Sequence, residues 1–354
     1  MSYQPDFLGK MTEKKQDNYI LYVCGPEACR EIEQVPGIVV RKMYRSGRKM
    51  YSEKINCRET VLICKLAQIV LYTTGEKRRY ICCKKEEFIM NKEKLPFEMP
   101  SLDLTGKVAV VTGGTKGLGY GIVMTLAYHG AKVVITSRHQ NDCDAVAQEV
   151  IDMGGEAMGI KTDVQNTEEI QNLIDKTVEK FGKVDIMINN AGVAVTKRFT
   201  EMTEEEYDRV LDSNLKSVYF GSQIAAKQMI AQGEGGKIIN MCSIGGIKGN
   251  NQLSTYGASK AGAINLTKSM AWELGRYNIN VNAICPGYVE TALNTEALNN
   301  PKFREKTLKG IPLRRFGTVQ EIAALTLFLA SDCCNMITGE YIVADMGATL
   351  GGNV

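Results

Sequence analysis

The sequence predicts an α/β fold of the Rossmann type: a doubly wound parallel sheet covered on both faces by helices, preceded by an N-terminal extension to which no fold class is assigned. Between about residue 104 and the C-terminus, seven short apolar runs alternate with helix-like stretches. A glycine-rich turn at residues 112–119 separates the first run from the first helix. Strands that alternate with helices require crossover connections, and these produce a parallel sheet.

The seven runs are each long enough for one strand. They lie at residues 108–111, 132–136, 157–162, 184–188, 237–241, 280–283 and 340–343. The stretch at residues 168–181 shows the helical period most clearly, because its apolar residues recur at three- and four-residue steps and form one face. These residues are Ile170, Leu173, Ile174, Val178 and Phe181. We find no internal repeat and no low-complexity segment.

The first 98 residues differ in character, and we divide the chain into an extension (1–98) and a Rossmann-type domain (99–354). The extension contains two possible short strands, at residues 19–23 and 37–40, and a basic turn at residues 45–48. It is interpreted as a small accessory domain, a poorly ordered arm, or upstream sequence preceding a true start at Met99. The abrupt change at Met99-Pro100 keeps the third interpretation open.

Charge gives no case for a nucleic-acid partner. The chain has 43 basic and 40 acidic residues, of which the extension holds 19 and 13. The Rossmann-type domain is therefore slightly acidic, and solvated surface charge explains the extension better than nucleic-acid binding does. The longest apolar stretch, residues 61–72, is cut by Lys65 and Gln68 and is too short for a membrane span.

Cysteine usage indicates a reducing compartment. The eleven cysteines include the pairs Cys82-Cys83 and Cys333-Cys334, and residues 1–15 are too polar for a signal peptide. We therefore expect a cytoplasmic protein with reduced thiols. Six cysteines fall in the extension, but their spacing matches no zinc motif and no histidine lies nearby, so no metal site is predicted. They are Cys24, Cys29, Cys57, Cys64, Cys82 and Cys83.

Two local patterns carry chemistry. Gly113, Gly117 and Gly119 let the backbone turn tightly between strand and helix, where the free N–H groups and dipole of the helix can hold a diphosphate. Tyr256 and Lys260 are four residues apart on a predicted helix and project from one face. An ammonium beside a phenol favours the phenolate, which lets the tyrosine exchange a proton with a substrate oxygen. Either pattern alone is also common in ordinary turns and surface helices.

The combination of motifs resembles the short-chain dehydrogenase/reductase family over residues 102–350. The resemblance is carried by the Gly-x3-Gly-x-Gly spacing at residues 113–119, by Asn190-Ala191-Gly192 and by the Tyr-x3-Lys motif. It implies a catalytic set of Asn214, Ser243, Tyr256 and Lys260. Within that set, Tyr256 is the general acid/base, Ser243 binds the substrate oxygen, and Asn214 holds a water near Lys260.

The resemblance also implies the cofactor-binding residues. Asn190 and Gly192 line the adenosine side of the cleft, Asp163 faces the adenine ring, and the segment at 286–291 contacts the nicotinamide carboxamide. No acid ends the second strand, so Ser137, Arg138 and Lys116 predict NADP(H), with NAD(H) possible. The full predicted set is Gly113, Thr115, Lys116, Gly117, Leu118, Gly119, Ser137, Arg138, Asp163, Val164, Asn190, Gly192, Tyr256, Lys260, Val289 and Thr291.

The expected activity is interconversion of a carbonyl and a secondary alcohol by hydride transfer on a small molecule. The sequence is similar to bacterial members that act on 3-oxoacyl thioesters, sugar acids such as gluconate, and hydroxysteroids, and it does not separate these substrates. A cofactor-sensing or scaffold protein without turnover is the alternative. Relatives pair through two long helices, here near residues 206–232 and 256–276, so we expect a homotetramer or dimer.

Overall fold

The computed structural model describes residues 99–291 and 300–351, together with the backbone of five strands between residues 19 and 82. The chain divides into two compact units, Met1–Glu98 and Met99–Val354. Strand β1 of the first unit coincides with the predicted segment at 19–23, and β2 includes residues 38–40. The five strands are β1 (Tyr19–Cys24), β2 (Ile38–Ser46), β3 (Lys49–Lys54), β4 (Val70–Thr74) and β5 (Arg78–Cys82).

Strand pairing in the first unit is simple. Strand β1 pairs with β2 in parallel, β2 pairs with β3 antiparallel, and β4 pairs with β5 antiparallel. Residues 47 and 48 of the predicted basic turn at 45–48, and the side chains of the six cysteines, lie outside the described residues.

The second unit is built on a seven-stranded sheet in which every neighbouring pair is parallel, in the order β12-β11-β10-β9-β6-β7-β8. All seven predicted strands are confirmed, with ends shifted by a few residues. They are β6 (Val108–Thr112), β7 (Lys132–Ser137), β8 (Ala157–Lys161), β9 (Ile186–Asn189), β10 (Gly236–Met241), β11 (Ile279–Pro286) and β12 (Tyr341–Ala344).

Helices cover both faces of this sheet. Helices α1, α2 and α8 pack on one face, and α3, α5 and α6 on the other. The predicted apolar face of α3 is confirmed, since Ile170, Leu173 and Ile174 are fully buried against the sheet. The helices are α1 (Gly117–Tyr128), α2 (Gln140–Asp152), α3 (Thr167–Phe181), α4 (Glu204–Leu211), α5 (Ser217–Gln232), α6 (Ser254–Leu274), α7 (Pro301–Lys309) and α8 (Val319–Ala330). Within the described part of the chain, no helix combines the length and apolar character that crossing a bilayer requires.

The chain order reverses between β6 and β9, and parallel sheets bind ligands at the carboxyl ends of strands at such a switch point. Hydrogen bonds tie these two strand ends together. The Asn190 amide donates to the carbonyl oxygens of Thr112 and Gly113 over 2.9 and 3.1 Å. In return, the Thr112 hydroxyl oxygen accepts from the backbone N–H groups of Asn190 and Ala191. The ends of β6 and β9, which border the crevice, are therefore held together by hydrogen bonds.

Close packing at the start of α1 depends on a glycine. A Cβ atom at residue 119 would overlap the carbonyl oxygen of Gly113 and stand 2.6 Å from the Asn190 amide nitrogen. Neither group can move away, because the amide is bonded to the carbonyls of the turn. Only glycine allows the helix to begin this close to the strand end.

We predict that Gly119→Ala destabilises the second unit, whereas Gly275→Ala does not. At residue 119 the added methyl group overpacks a fixed backbone, which costs about 1–3 kcal/mol or more. Residue 275 has open space around a Cβ atom and a φ of −56°, so the change there should stay within about 0.5 kcal/mol. Urea unfolding of both variants measures the difference. Equal midpoints would show that the turn relaxes more freely than its hydrogen bonds indicate.

Candidate active site

Helix α6 brings Tyr256 and Lys260 to the carboxyl end of β10. Lys260 is 4% exposed, and its Nζ donates a 2.7 Å hydrogen bond to the carbonyl oxygen of Met241, the last residue of β10. The same nitrogen lies 5.8 Å from the centroid of the Tyr256 ring. The Tyr256 hydroxyl has no hydrogen-bond partner among the described residues. The i,i+4 pair therefore combines a buried, anchored cation with a phenol available to a ligand.

Ser243 lies opposite Tyr256, two residues beyond β10. Its hydroxyl oxygen accepts a 3.0 Å bond from the N–H of Gly245, which leaves the hydroxyl hydrogen available to donate elsewhere. Ser243 Oγ and the Cε1 atom of Tyr256 each lie 3.3 Å from the point where a Cβ atom on residue 245 would stand. The Ser243 hydroxyl and the edge of the Tyr256 ring therefore lie close to one common point.

Asn214 lies in a π-helical turn, Asp212–Lys216, inserted between α4 and α5. Such turns add one residue and are frequent at functional sites. The Asn214 side chain is fully buried: its nitrogen donates to the Val193 carbonyl and the Ser259 hydroxyl, and its oxygen accepts from Val193 N–H at 2.8 Å. Asn214 therefore fixes the chain after β9 against α6. The partners Val193 and Ser259 had no signal in the sequence, because the contacts join distant segments.

The glycine turn meets the requirements of a dinucleotide. Gly113 and Gly117 have φ values of +64° and +56°, which glycine adopts without strain. The N-terminus of α1 has no side-chain cap and no acid in its first turn. By contrast, Asn166 caps α3, which carries two acids in its first turn. The first N–H groups of α1 therefore keep their capacity to bind an anion, as a cofactor diphosphate requires.

The groups predicted to hold the 2′-phosphate are not equally available. Arg138 is exposed and has no partner in the described part of the chain. Lys116 forms a 3.2 Å ion pair with Asp142, in the first turn of α2. The Ser137 hydroxyl contacts the Cys143 thiol at 3.2 Å and the backbone of His139. Sequence reasoning missed Asp142, because only the packing of α2 beside the glycine turn brings the two charges together.

The remaining predicted residues lie along the same edge of the sheet. Asp163 follows β8, and its carboxylate accepts a 3.0 Å bond from Gln165 N–H, which is the geometry of a turn-forming aspartate. Thr291 side-chain atoms lie 3.8 Å from the position of a Cβ atom on Gly117, so the segment after β11 reaches the glycine turn. Val289 is buried and bridges to Gly317. Thr115, Val164 and Gly192 follow β6, β8 and β9, whereas Leu118 lies in the first turn of α1 and packs against the core.

Two buried thiols lie near the carboxyl end of β10. Cys242 directly follows β10, Cys285 lies in β11, and both pack with Ala263 and Ile264 of α6. A hydrogen bond with Cys242, together with burial, raises the pKa of the Cys285 thiol. Cys285 therefore stays protonated and is a poor candidate for acid/base chemistry or nucleophilic attack.

A cavity of about 470 Å³ lies between the start of α4 and the first turn of α6. Its lining includes Phe199, Tyr207 and Thr255, but none of Ser243, Tyr256 or Lys260. The cavity is therefore separate from the predicted catalytic residues.

Comparison with known proteins agrees with this geometry. A family model described as enoyl-(acyl carrier protein) reductase matches residues 113–349. The 3-oxoacyl-(acyl-carrier-protein) reductase FabG of Thermotoga maritima is 38% identical over 247 residues, 70% of this chain and 99% of the relative. The 2-dehydro-3-deoxy-D-gluconate 5-dehydrogenase of Escherichia coli is also 38% identical, over 250 residues, 70% of this chain and 98% of the relative.

Solved structures show the same similarity. A short-chain type dehydrogenase/reductase from Mycobacterium marinum has a TM-score of 0.67 at 35% identity, covering 71% of this chain and 98% of its own. A 7α-hydroxysteroid dehydrogenase in complex with NADH and 7-oxo glycochenodeoxycholic acid has a TM-score of 0.67 at 34% identity, with the same coverage. The family model spans more than half of the chain, and the relatives are matched over nearly their whole length. The chain therefore belongs to the short-chain dehydrogenase/reductase family of oxidoreductases.

Proposed function

We propose that this protein is an NADP(H)-dependent oxidoreductase that interconverts a carbonyl and a secondary alcohol, with Tyr256 as the general acid/base. One observation carries the proposal: the Ser243 hydroxyl and the Tyr256 ring converge on one point beside the buried Lys260 ammonium. The uncapped N-terminus of α1, at the neighbouring switch point, provides the matching anion site.

A reduced nicotinamide bound in this crevice supplies the hydride. In the direction of reduction, Ser243 donates a hydrogen bond to the carbonyl oxygen and stabilises the negative charge that develops there. Tyr256 transfers its hydroxyl proton to the same oxygen. The Lys260 ammonium stabilises the resulting phenolate, and Asn214 holds the adjoining loop in register with α6. Alcohol oxidation reverses these steps.

Preference for NADP(H) rests on charge at the adenosine end of the crevice. Arg138 and Lys116 provide two cations where a ribose phosphate would lie, and β7 ends in Ser137 rather than an acid. The pairing of Lys116 with Asp142 weakens this preference, because the carboxylate offsets one of the two charges. We therefore expect NADP(H) to be favoured and NAD(H) to remain usable.

The substrate is proposed to be a small carbonyl compound of one of three classes: a 3-oxoacyl thioester, a keto sugar acid or an oxosteroid. The named relatives include a 3-oxoacyl-(acyl-carrier-protein) reductase, a dehydrogenase of 2-dehydro-3-deoxy-D-gluconate and a hydroxysteroid dehydrogenase. We also propose assembly as a homotetramer or dimer through α5 and α6. Trp272 on α6 is 91% exposed and Tyr219 on α5 is 46% exposed, so these helices present apolar surface that a second copy would cover.

The reaction is tested by following oxidation of NADPH and NADH with ketoacyl thioesters, keto sugar acids, oxosteroids and small diketones. With a substrate that reacts, Tyr256→Phe should lower kcat by about a hundredfold or more, because it removes the proton donor. NADPH affinity should change by less than about threefold, since the missing hydroxyl acts on the substrate oxygen.

The matched control is Tyr128→Phe, at a residue that is 87% exposed at the C-terminal end of α1. It should leave both kcat and NADPH affinity unchanged. Substantial turnover by Tyr256→Phe would contradict the assignment of the acid. NADPH binding without turnover on any substrate would favour a cofactor-sensing protein instead.

Cofactor choice is tested by Asp142→Asn. Loss of this carboxylate frees Lys116, so NADPH affinity should rise roughly two- to fivefold, the range expected for an exposed ion pair. NADH affinity should stay constant. The control Asp144→Asn makes the same charge change on α2, where the carboxylate accepts from Gln140 instead of Lys116. Equal changes for NADPH and NADH in isothermal titration would show that Lys116 does not face the 2′-phosphate.

A further inference from the structure

The loop between β10 and α6 holds a polar side chain beside the reacting groups. This loop, residues 247–253, is fixed at several points. The Lys197 N–H donates to the Gln252 carbonyl over 2.9 Å, and Lys248 Nζ donates to the Ala348 carbonyl over 2.9 Å. Within the loop, the Leu253 N–H donates to the carbonyl of Asn250 over 3.3 Å. The position of Asn250 is therefore set by the fold.

The Asn250 amide faces the same point as the catalytic groups. Its nitrogen lies 3.2 Å from where a Cβ atom on residue 245 would stand, and Ser243 Oγ and Tyr256 Cε1 each lie 3.3 Å from that point. Any side chain at residue 245 would separate the three groups, whereas glycine leaves them facing one another. A substrate oxygen bound by Ser243 and Tyr256 thus has the Asn250 amide beside it.

Hydrogen bonding sets Asn250 apart from comparable asparagines. Asn250 is half-buried, and its amide has no partner among the described residues. Six other buried or half-buried asparagines of the same unit all use their amides within the chain. They are Asn189, Asn190, Asn214, Asn240, Asn280 and Asn282. The Asn250 amide therefore keeps its capacity to donate and accept, and it is available to pair with a ligand.

We infer that Asn250 is a specificity-determining residue that binds a hydroxyl group on the carbon next to the reacting carbonyl. An amide both donates and accepts, and a hydroxyl group does the same, so the two are complementary. The site then selects hydroxy ketones, the chemical class that includes keto sugars, over ketones in which the carbonyl is the sole polar group. This inference rests on the proposed carbonyl reduction at Ser243 and Tyr256.

The test compares acetoin with butanone, two ketones of equal chain length that differ by one hydroxyl group beside the carbonyl. With the full chain and NADPH, the wild type should reduce acetoin with the higher kcat/KM. Asn250→Ala should lower kcat/KM for acetoin about tenfold, the loss expected for one hydrogen bond to a half-buried group. Its kcat/KM for butanone should stay within about twofold, because butanone offers no hydroxyl group to the amide.

Two further variants separate recognition from loop structure. Asn251→Ala changes the neighbouring exposed asparagine and should leave both substrates unaffected. Asn250→Ser keeps a donor and acceptor and should recover part of the acetoin rate. Equal losses on both ketones in Asn250→Ala would show a structural role and overturn the inference.

The outcomes also distinguish this inference from the proposed function. If the wild type reduces both ketones equally and Asn250→Ala does the same, the reductase assignment stands and recognition by Asn250 is wrong. If the wild type binds NADPH but reduces neither ketone, saturation-transfer NMR on the NADPH complex decides. Stronger binding of acetoin than of butanone, lost in Asn250→Ala, supports the inference, and equal binding overturns it.

Discussion

The tie between the carboxyl ends of β6 and β9 is the constraint on which the site depends. One asparagine amide bonds two carbonyls of the glycine turn, and one threonine hydroxyl accepts two N–H groups in return. These bonds join segments 78 residues apart at the place where the sheet order reverses. Because they satisfy the polar groups of both turns, the crevice can stay open to a ligand without leaving its own backbone unpaired.

Hydrogen bonds within the protein also hold two of the predicted catalytic residues, Lys260 and Asn214, in place. Lys260 is buried, and its charge is held by the carbonyl that ends β10, which fixes the height of α6 above the sheet edge. Asn214, in its π-helical turn, connects α6 to the chain after β9. Structural bonds thus occupy the lysine and the asparagine. Among the described residues, the Tyr256 hydroxyl and the Asn250 amide have no partner and the Ser243 hydroxyl hydrogen remains available, so the proposed reaction uses these three groups.

The two ends of the crevice differ in the charge of their side chains. At the cofactor end, an uncapped helix and exposed cations favour an anion, and a carboxylate on α2 moderates that preference. At the proposed substrate end, Ser243, Tyr256 and Asn250 are neutral donors and acceptors, and the Lys260 ammonium is buried beside the Tyr256 ring. In the proposed reaction, this arrangement separates binding of a charged cofactor from proton transfer to a neutral carbonyl.

The sequence by itself determined the α/β class, the seven strands, the glycine turn and the Tyr256–Lys260 pair, because each depends on spacing between neighbouring residues. In the first unit the sequence indicated only two of the five described strands. The other three were not predicted, because the apolar runs in this part of the chain are short and irregular. Only the tertiary structure showed that Asp142 pairs with Lys116. It also showed which groups the Asn190 and Asn214 amides bind, and that the Asn250 amide has no partner among the described residues. Contacts of this kind join side chains from distant segments, so they exist only once the sheet and its helices have packed.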